Sequence, residues 1–102
     1  MIQELQKKIV KFRDDRDWKR FHTPKNLSMA LSVEASELVE IFQWIDEARA
    51  GHFVRDKKNL EMIADEVADI AIYLLSFCEV TGIDLCRAIE TKIEKNRQKY
   101  VI

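Results

Sequence analysis

The sequence predicts an all-α fold in the form of a four-helix bundle, and three observations lead there. The 102 residues include two glycines and one proline, too few punctuators for a turn-dense β architecture. Apolar residues recur at three- and four-residue intervals in four separate stretches. Hydrophobic residues make up 47% and charged residues 34%, enough for one core beneath solvated outer faces. Residues 1–102 are accordingly expected to form a single domain.

The first helix is expected from Ile2 to about Trp18, with Ile2, Leu5, Ile9 and Phe12 opposite Lys7, Lys8, Lys11 and Asp14. The segment Phe21-His22-Thr23-Pro24-Lys25 interrupts it, because proline disfavours helix in its predecessor and readily begins a new one. A second helix is expected from there to about Arg49, with Leu27, Leu31, Leu38, Ile41 or Phe42, and Ile45 inward and Gly51 as its stop. A third begins near Asp56 and carries Leu60, Ile63, Val67, Ile70, Leu74 and Phe77 to Thr81-Gly82. Asp84 is the expected N-cap of the fourth, which presents Leu85, Ala88 or Ile89, and Ile93 and ends near Tyr100.

The net charge of -1 argues against a basic nucleic-acid binder, but it hides a segregation. Met1–Lys25 holds eight basic and four acidic residues; residues 26–86 hold four and twelve, and residues 87–102 hold five and two. Cys78 and Cys86 show neither CxxC spacing nor a metal-binding Cys/His cluster, which suits a reduced, cytoplasmic protein. No apolar run approaches the ~20 residues that span a bilayer, and the N-terminus lacks the basic-then-apolar order of a signal peptide. Neither a membrane nor a nucleic-acid partner is expected.

Polar residues beside the apolar stripes carry the chemistry. Glu34-Ala-Ser-Glu37 on the second helix and Glu66-Val-Ala-Asp69 on the third each place two carboxylates on one face, their Cβ atoms ~5–6 Å apart. Helices packed at ~8–10 Å bring the four into one space. A lone ExxE or ExxD is commonly a solvated face. Here Val33 and Leu38 flank the first pair, and Val67, Ile70 and Ala71 the second, so full exposure would also expose apolar side chains. Glu40 and Asp65 are secondary candidates. Clustered carboxylates repel one another and call for a divalent cation, and oxygen-only ligation favours magnesium, with manganese the alternative. A redox di-metal centre would need Glu-x-x-His motifs, and neither His22 nor His52 stands three residues after a glutamate.

Such a metal centre suits a polyphosphate substrate. Lys92, Asn96 and Lys99 share one face of the fourth helix, with Arg97 adjacent, an arrangement fit for phosphate oxygens. Tyr73 lies one turn after Asp69, and Trp44 two turns after Glu37, so both are expected to border the carboxylates and offer a stacking face. A competing expectation is a non-enzymatic helical dimerisation or regulatory module with pairing acidic and basic surfaces. It gives no reason for ExxE, ExxD, Trp44 and NRQKY to occur together.

The stretches RDWKRFHTPKNL, EASELVEIFQW, DEVADIAIYL and KIEKNRQKY, in this order, resemble the MazG-like all-α nucleoside triphosphate pyrophosphohydrolases, particularly the dCTP pyrophosphatase subgroup. The resemblance implies hydrolysis of (deoxy)nucleoside triphosphates to monophosphate and pyrophosphate, with dCTP or modified pyrimidine nucleotides as candidates in nucleotide-pool cleaning. It implies Mg²⁺ held by Glu34, Glu37, Glu66 and Asp69. It further implies nucleotide binding by Trp18, Lys19, His22, Trp44 and Tyr73, phosphate contacts by Lys92, Asn96 and Arg97, and a homodimer or homotetramer. Mechanistically, Glu37 or Glu34 is the expected general base, a role that sequence does not distinguish from metal ligation. The chain departs from the pattern at Val33 and Ser36, where relatives often carry glycine, and at Ile9, where mammalian members carry a nucleotide-binding histidine.

Overall fold

The computed structural model describes residues 1–101 and is helical throughout, with no strand among them. Helix α1 spans Ile2–Asp15, α2 Pro24–Phe42, α3 Glu47–Phe53, α4 Lys57–Thr81 and α5 Leu85–Lys99, and a 3₁₀ turn covers Lys19–Phe21. Four helices of the expected order are present, and a fifth, short one lies between the second and third of them.

The caps explain most boundaries. Thr23 accepts a hydrogen bond from the Asn26 amide at 3.1 Å, with Pro24 behind it in the first turn of α2. Asp56 Oδ1 accepts from the amides of Lys58 and Asn59 at the head of α4, and Asp84 Oδ1 from the Arg87 amide at the head of α5. Gly82 ends α4 in the left-handed region, φ 74°, its amide turned back to the Cys78 carbonyl.

Helix α1 stops at Asp15 rather than near Trp18. Asp17 takes φ 55°; the Trp18 amide donates to the Arg13 carbonyl and the Asp17 amide to that of Asp14. These are the two bonds of a Schellman cap, with aspartate in the place glycine usually fills. Aspartate bears that conformation better than most residues because its short polar side chain bonds locally. The turn fixes the direction in which Trp18 leaves the helix.

The second expected helix is in fact two. Helix α2 ends at Phe42, and residues 43–46 turn until Asp46, extended at ψ 146°, opens α3. Gly51 therefore lies inside α3 instead of stopping a longer helix. A glycine in a helix interior costs ~1 kcal/mol relative to alanine. The Phe53 ring offsets it by meeting Phe42 edge-on at 5.8 Å, which pins the short helix to α2.

His22, just ahead of α2, shares a cavity wall with Tyr73 and Ser76 of α4, while Glu34 and Glu37 further along α2 meet Glu66, so the pair is antiparallel; α1 also lies against α4. Leu27, Leu75 and Cys78 are buried there, with Ser76 and Arg13. The expected inward positions Leu31, Leu38, Ile41, Phe42 and Ile45 are half-buried, as are Ile63, Ile70, Leu74 and Phe77, but Leu60 and Val67 are exposed. Helix α1 is rotated from its expected face. Gln6 and Arg13 point inward with Ile2 and Ile9, while Leu5 and Phe12 stay exposed. Two long-range bonds set this rotation: Gln6 Nε2 donates to the Leu75 carbonyl at 3.1 Å, and Arg13 Nη1 to Glu79 Oε2 at 2.7 Å.

Helix α5 makes only marginal contact with the rest, and its Ile89 and Ile93 are exposed. The radius of gyration, 16.5 Å, exceeds the ~13 Å of a compact chain of this length. Val33 and Val39 on α2 are likewise uncovered.

Two substitutions test this packing by denaturant unfolding. Leu27→Ala, at the most deeply buried side chain, should lower stability by about 3 kcal/mol. Asp17→Val should lower it by about 1–2 kcal/mol, since a β-branched residue tolerates positive φ poorly.

Candidate active site

Glu34 and Glu37 stand on successive turns of α2, and Glu66 faces them from α4. Each offers a carboxylate oxygen, and the three oxygens lie within 4.8 Å of one another. All three side chains are half-buried. Glu34 Oε2 and Glu66 Oε2 are sealed from solvent without a hydrogen-bond partner. None of the four ion pairs among the described residues involves these glutamates.

This is a costly arrangement, because clustered, desolvated carboxylates resist ionisation. The Glu34 carboxyl is pushed up to about 7, first by desolvation, then by its hydrogen bond to Glu37 and the charges of Glu37, Asp69 and Glu66. Glu66 is raised as well, mainly by desolvation and by Glu37. Sealed acceptor oxygens and mutual repulsion are both relieved by a cation. Oxygens held ~2.1 Å from one magnesium ion are spaced about 3–4 Å apart, so little movement separates this cluster from a coordination sphere. Glu34, Glu37 and Glu66 thus fit a hard divalent metal. Asp69, one turn beyond Glu66, is half-buried and acts on both neighbours through its charge.

Asp69 also borders a cavity of about 270 Å³ between α1, the turn after it and α4. Trp18, His22 and Tyr73 line it, with Ile9, Phe12, Arg13, Ile72 and Ser76. The Phe12 and Trp18 rings meet edge-on at 5.8 Å, and the Arg16 guanidinium lies 3.4 Å from the Phe12 ring centroid. Burial lowers the His22 pKa, the Arg13 charge adds to the effect, and Glu79 opposes it, so the imidazole is neutral at pH 7. Its Nδ1 is sealed and unpartnered.

The remaining expected residues do not join this site within one chain. Trp44 is 89% exposed in the turn between α2 and α3 and borders a separate concavity with Arg49, His52 and Phe53. Because α2 ends at Phe42, helical spacing from Glu37 no longer governs where Trp44 points. Lys19 is exposed on the 3₁₀ turn. Lys92 flanks a shallow hollow on α5, and Asn96 is half-buried on that helix. Arg97 makes two hydrogen bonds to Glu94, at 2.9 and 3.0 Å. None of the three hydrogen-bonds to the carboxylate cluster.

Sequence reasoning missed the cavity's Phe12, Arg13, Ile72 and Ser76. The one available signal was the spacing Ile2, Gln6, Ile9, Arg13, a helical stripe with two polar members. Nothing local distinguishes it from a stripe through Leu5 and Phe12.

Paired acidic turns on antiparallel helices, beside an aromatic cavity, define a class of all-helical proteins, and residues 29–102 match the MazG-like family. The chain belongs to that family. It is 35% identical over 101 residues to dCTP pyrophosphatase 1 of Rattus norvegicus, a match covering 99% of this chain and 59% of the relative. The corresponding human protein is 31% identical over 99 residues, covering 97% and 58%. The chain thus spans about 59% of the length of the curated relatives it matches. Among solved structures, a pyrophosphatase from Archaeoglobus fulgidus aligns with a TM-score of 0.91 at 40% identity, covering 98% of this chain and 92% of that one. No helix among the described residues is long and apolar enough to cross a membrane.

Glu34 supplies a pH test. Its carboxyl titrates near 7 in the folded chain against 4.5 ordinarily, so between these values the native state holds more protons than the unfolded one. Metal-free stability from this group therefore falls as pH rises through that window and levels off above about 7. His22, held low, works in the opposite sense below 6.5 and largely cancels when parent and variant are compared. In EDTA, Glu34→Gln should gain thermal stability relative to the parent on going from pH 5 to 7.5. Magnesium should raise the parent's Tm at pH 7.5 more than the variant's.

Proposed function

We propose that this chain is a nucleoside triphosphate pyrophosphohydrolase that releases pyrophosphate and a nucleoside monophosphate. One observation carries the reading: Asp69 belongs at once to the surroundings of the glutamate cluster and to the wall of the aromatic cavity. A ligand seated in the cavity would extend its polar end directly to the carboxylates. The relatives' names, dCTP pyrophosphatase and pyrophosphatase, support the same chemistry.

In this reading Glu34, Glu37, Glu66 and Asp69 hold magnesium, with manganese the alternative. The metal supplies charge neutralisation at the phosphate oxygens and a lowered pKa for bound water. Trp18 and Tyr73 sandwich the base, and the neutral His22 closes the cavity beside them. Whichever of Glu34 or Glu37 is not fully engaged by metal accepts the proton of the attacking water. Lys19, exposed on the turn that carries Trp18, contacts the nucleotide's outer end, and Trp44, Lys92, Asn96 and Arg97 complete the site from a second copy in a homodimer or homotetramer. Uncovered α5 and the exposed Ile89, Ile93, Val33 and Val39 support such an assembly. The substrate is a deoxynucleoside triphosphate of the dCTP or modified-pyrimidine class, and the task is clearing it from the cytoplasmic pool.

The test is product analysis. With Mg²⁺ and a panel of triphosphates, purified protein should release pyrophosphate and monophosphate; orthophosphate and diphosphate would contradict the reading. Glu37→Gln and Asp69→Asn should each lower kcat by about a hundredfold or more while leaving circular dichroism unchanged. Normal pyrophosphate release by both variants would remove the carboxylates from the mechanism.

A further inference from the structure

We infer that Arg13 is a specificity-determining residue, whose guanidinium selects nucleotides with a carbonyl oxygen on the base. The inference rests on the nucleotide reading of the cavity beside Trp18 and Tyr73.

Arg13 is only 4% exposed, yet it lines that cavity. Its Nε donates to Asp14 Oδ1 at 2.9 Å and its Nη1 to Glu79 Oε2 at 2.7 Å. Nη2 makes no hydrogen bond within the described residues, but it is not one of the unpartnered atoms sealed from solvent. A donor without a protein partner is thus carried by a side chain that borders the cavity. Bonds to two carboxylates hold the fork in place, so the geometry points to its remaining N–H as a fixed donor for a ligand in the cavity.

Trp18, Tyr73 and His22 offer the wall only neutral groups, and Arg13 is the one arginine or lysine there. Ile9, Phe12 and Ile72 are apolar, and the Ser76 hydroxyl donates to the Ile72 carbonyl at 2.8 Å. His22 Nδ1 is sealed away. A guanidinium is donor-only and stays charged, so it favours an acceptor oxygen and disfavours an amino group. Cytosine, uracil, thymine and guanine carry such an oxygen, whereas adenine offers only ring nitrogens, two of them beside an amino group that a guanidinium repels. A site built to hydrogen-bond a substrate group discriminates strongly against a ligand lacking it, because the buried partner is left unpaired.

The experiment compares kcat/KM for dCTP, dUTP and dATP in the parent, Arg13→Met and Glu79→Gln. The parent should favour dCTP and dUTP over dATP by about tenfold or more. Arg13→Met, which keeps the apolar stem and loses every donor, should bring the three within about threefold, chiefly through KM. Glu79→Gln removes one charge from the α1–α4 ion pair but keeps an oxygen to accept from Nη1, and Asp14 still holds Nε, so it should lower Tm while preserving the base ratio. A parent that hydrolyses dATP as well as dCTP overturns the inference. So does a folded Arg13→Met that slows all three triphosphates equally or retains the parental ratio. Should that variant not fold, dCMP and dAMP binding to the parent decides the matter, and equal affinities overturn the inference. A parent inactive on every triphosphate removes the nucleotide reading itself, and this inference with it.

Discussion

Repulsion between carboxylates at a helix seam is the constraint on which the rest of this structure depends. Glu34, Glu37 and Glu66 lie where α2 and α4 must approach one another, and two of their oxygens have no partner. An ordinary seam would place leucine there. The chain instead concentrates its close packing at the far end, around Leu27, Leu75 and Cys78, and holds the helix ends with Thr23, Asp56 and Gly82. The acidic end is then carried on two long helices whose register is fixed elsewhere. This lets the carboxylates stay close without their own contact having to be favourable, as a preorganised cation site requires.

The fold and the site were legible in the sequence to different depths. Paired acids at i and i+3 were readable because helical geometry alone puts them on one face, and two such pairs on neighbouring helices leave few arrangements. The starts of α2 and α4 and the whole of α5 were readable because proline, glycine and aspartate act locally on the backbone. The rotation of α1 was not. It depends on Leu75 and Glu79, over sixty residues away, which give Gln6 and Arg13 partners that no local pattern reveals. The break after Phe42 was hidden too, since residues 43–46 contain neither glycine nor proline and the turn is held by Phe42 against Phe53. Trp44 was misplaced as a direct result.

Charge segregation takes on a spatial meaning in the fold. The acidic middle of the chain supplies the α2–α4 seam, while the basic end forms α5, which has almost nothing of its own chain to rest on. A fifteen-residue helix is marginal in water without tertiary support. Its order and the burial of Ile89 and Ile93 are therefore tied to whatever covers it. Within one chain, Lys92, Asn96 and Arg97 of this cationic helix make no hydrogen bond to the carboxylates.

The chain has only two tryptophans, and their settings differ. Trp18 lies in the cavity wall against Phe12, whereas Trp44 projects from the turn beyond α2. Intrinsic fluorescence thereby contains two independent channels. With Trp44 replaced by phenylalanine, emission reports filling of the cavity; with Trp18 replaced, it reports contact at the outer turn. Events at the cavity and at the outer turn can then be followed separately in one stopped-flow instrument, with no label attached.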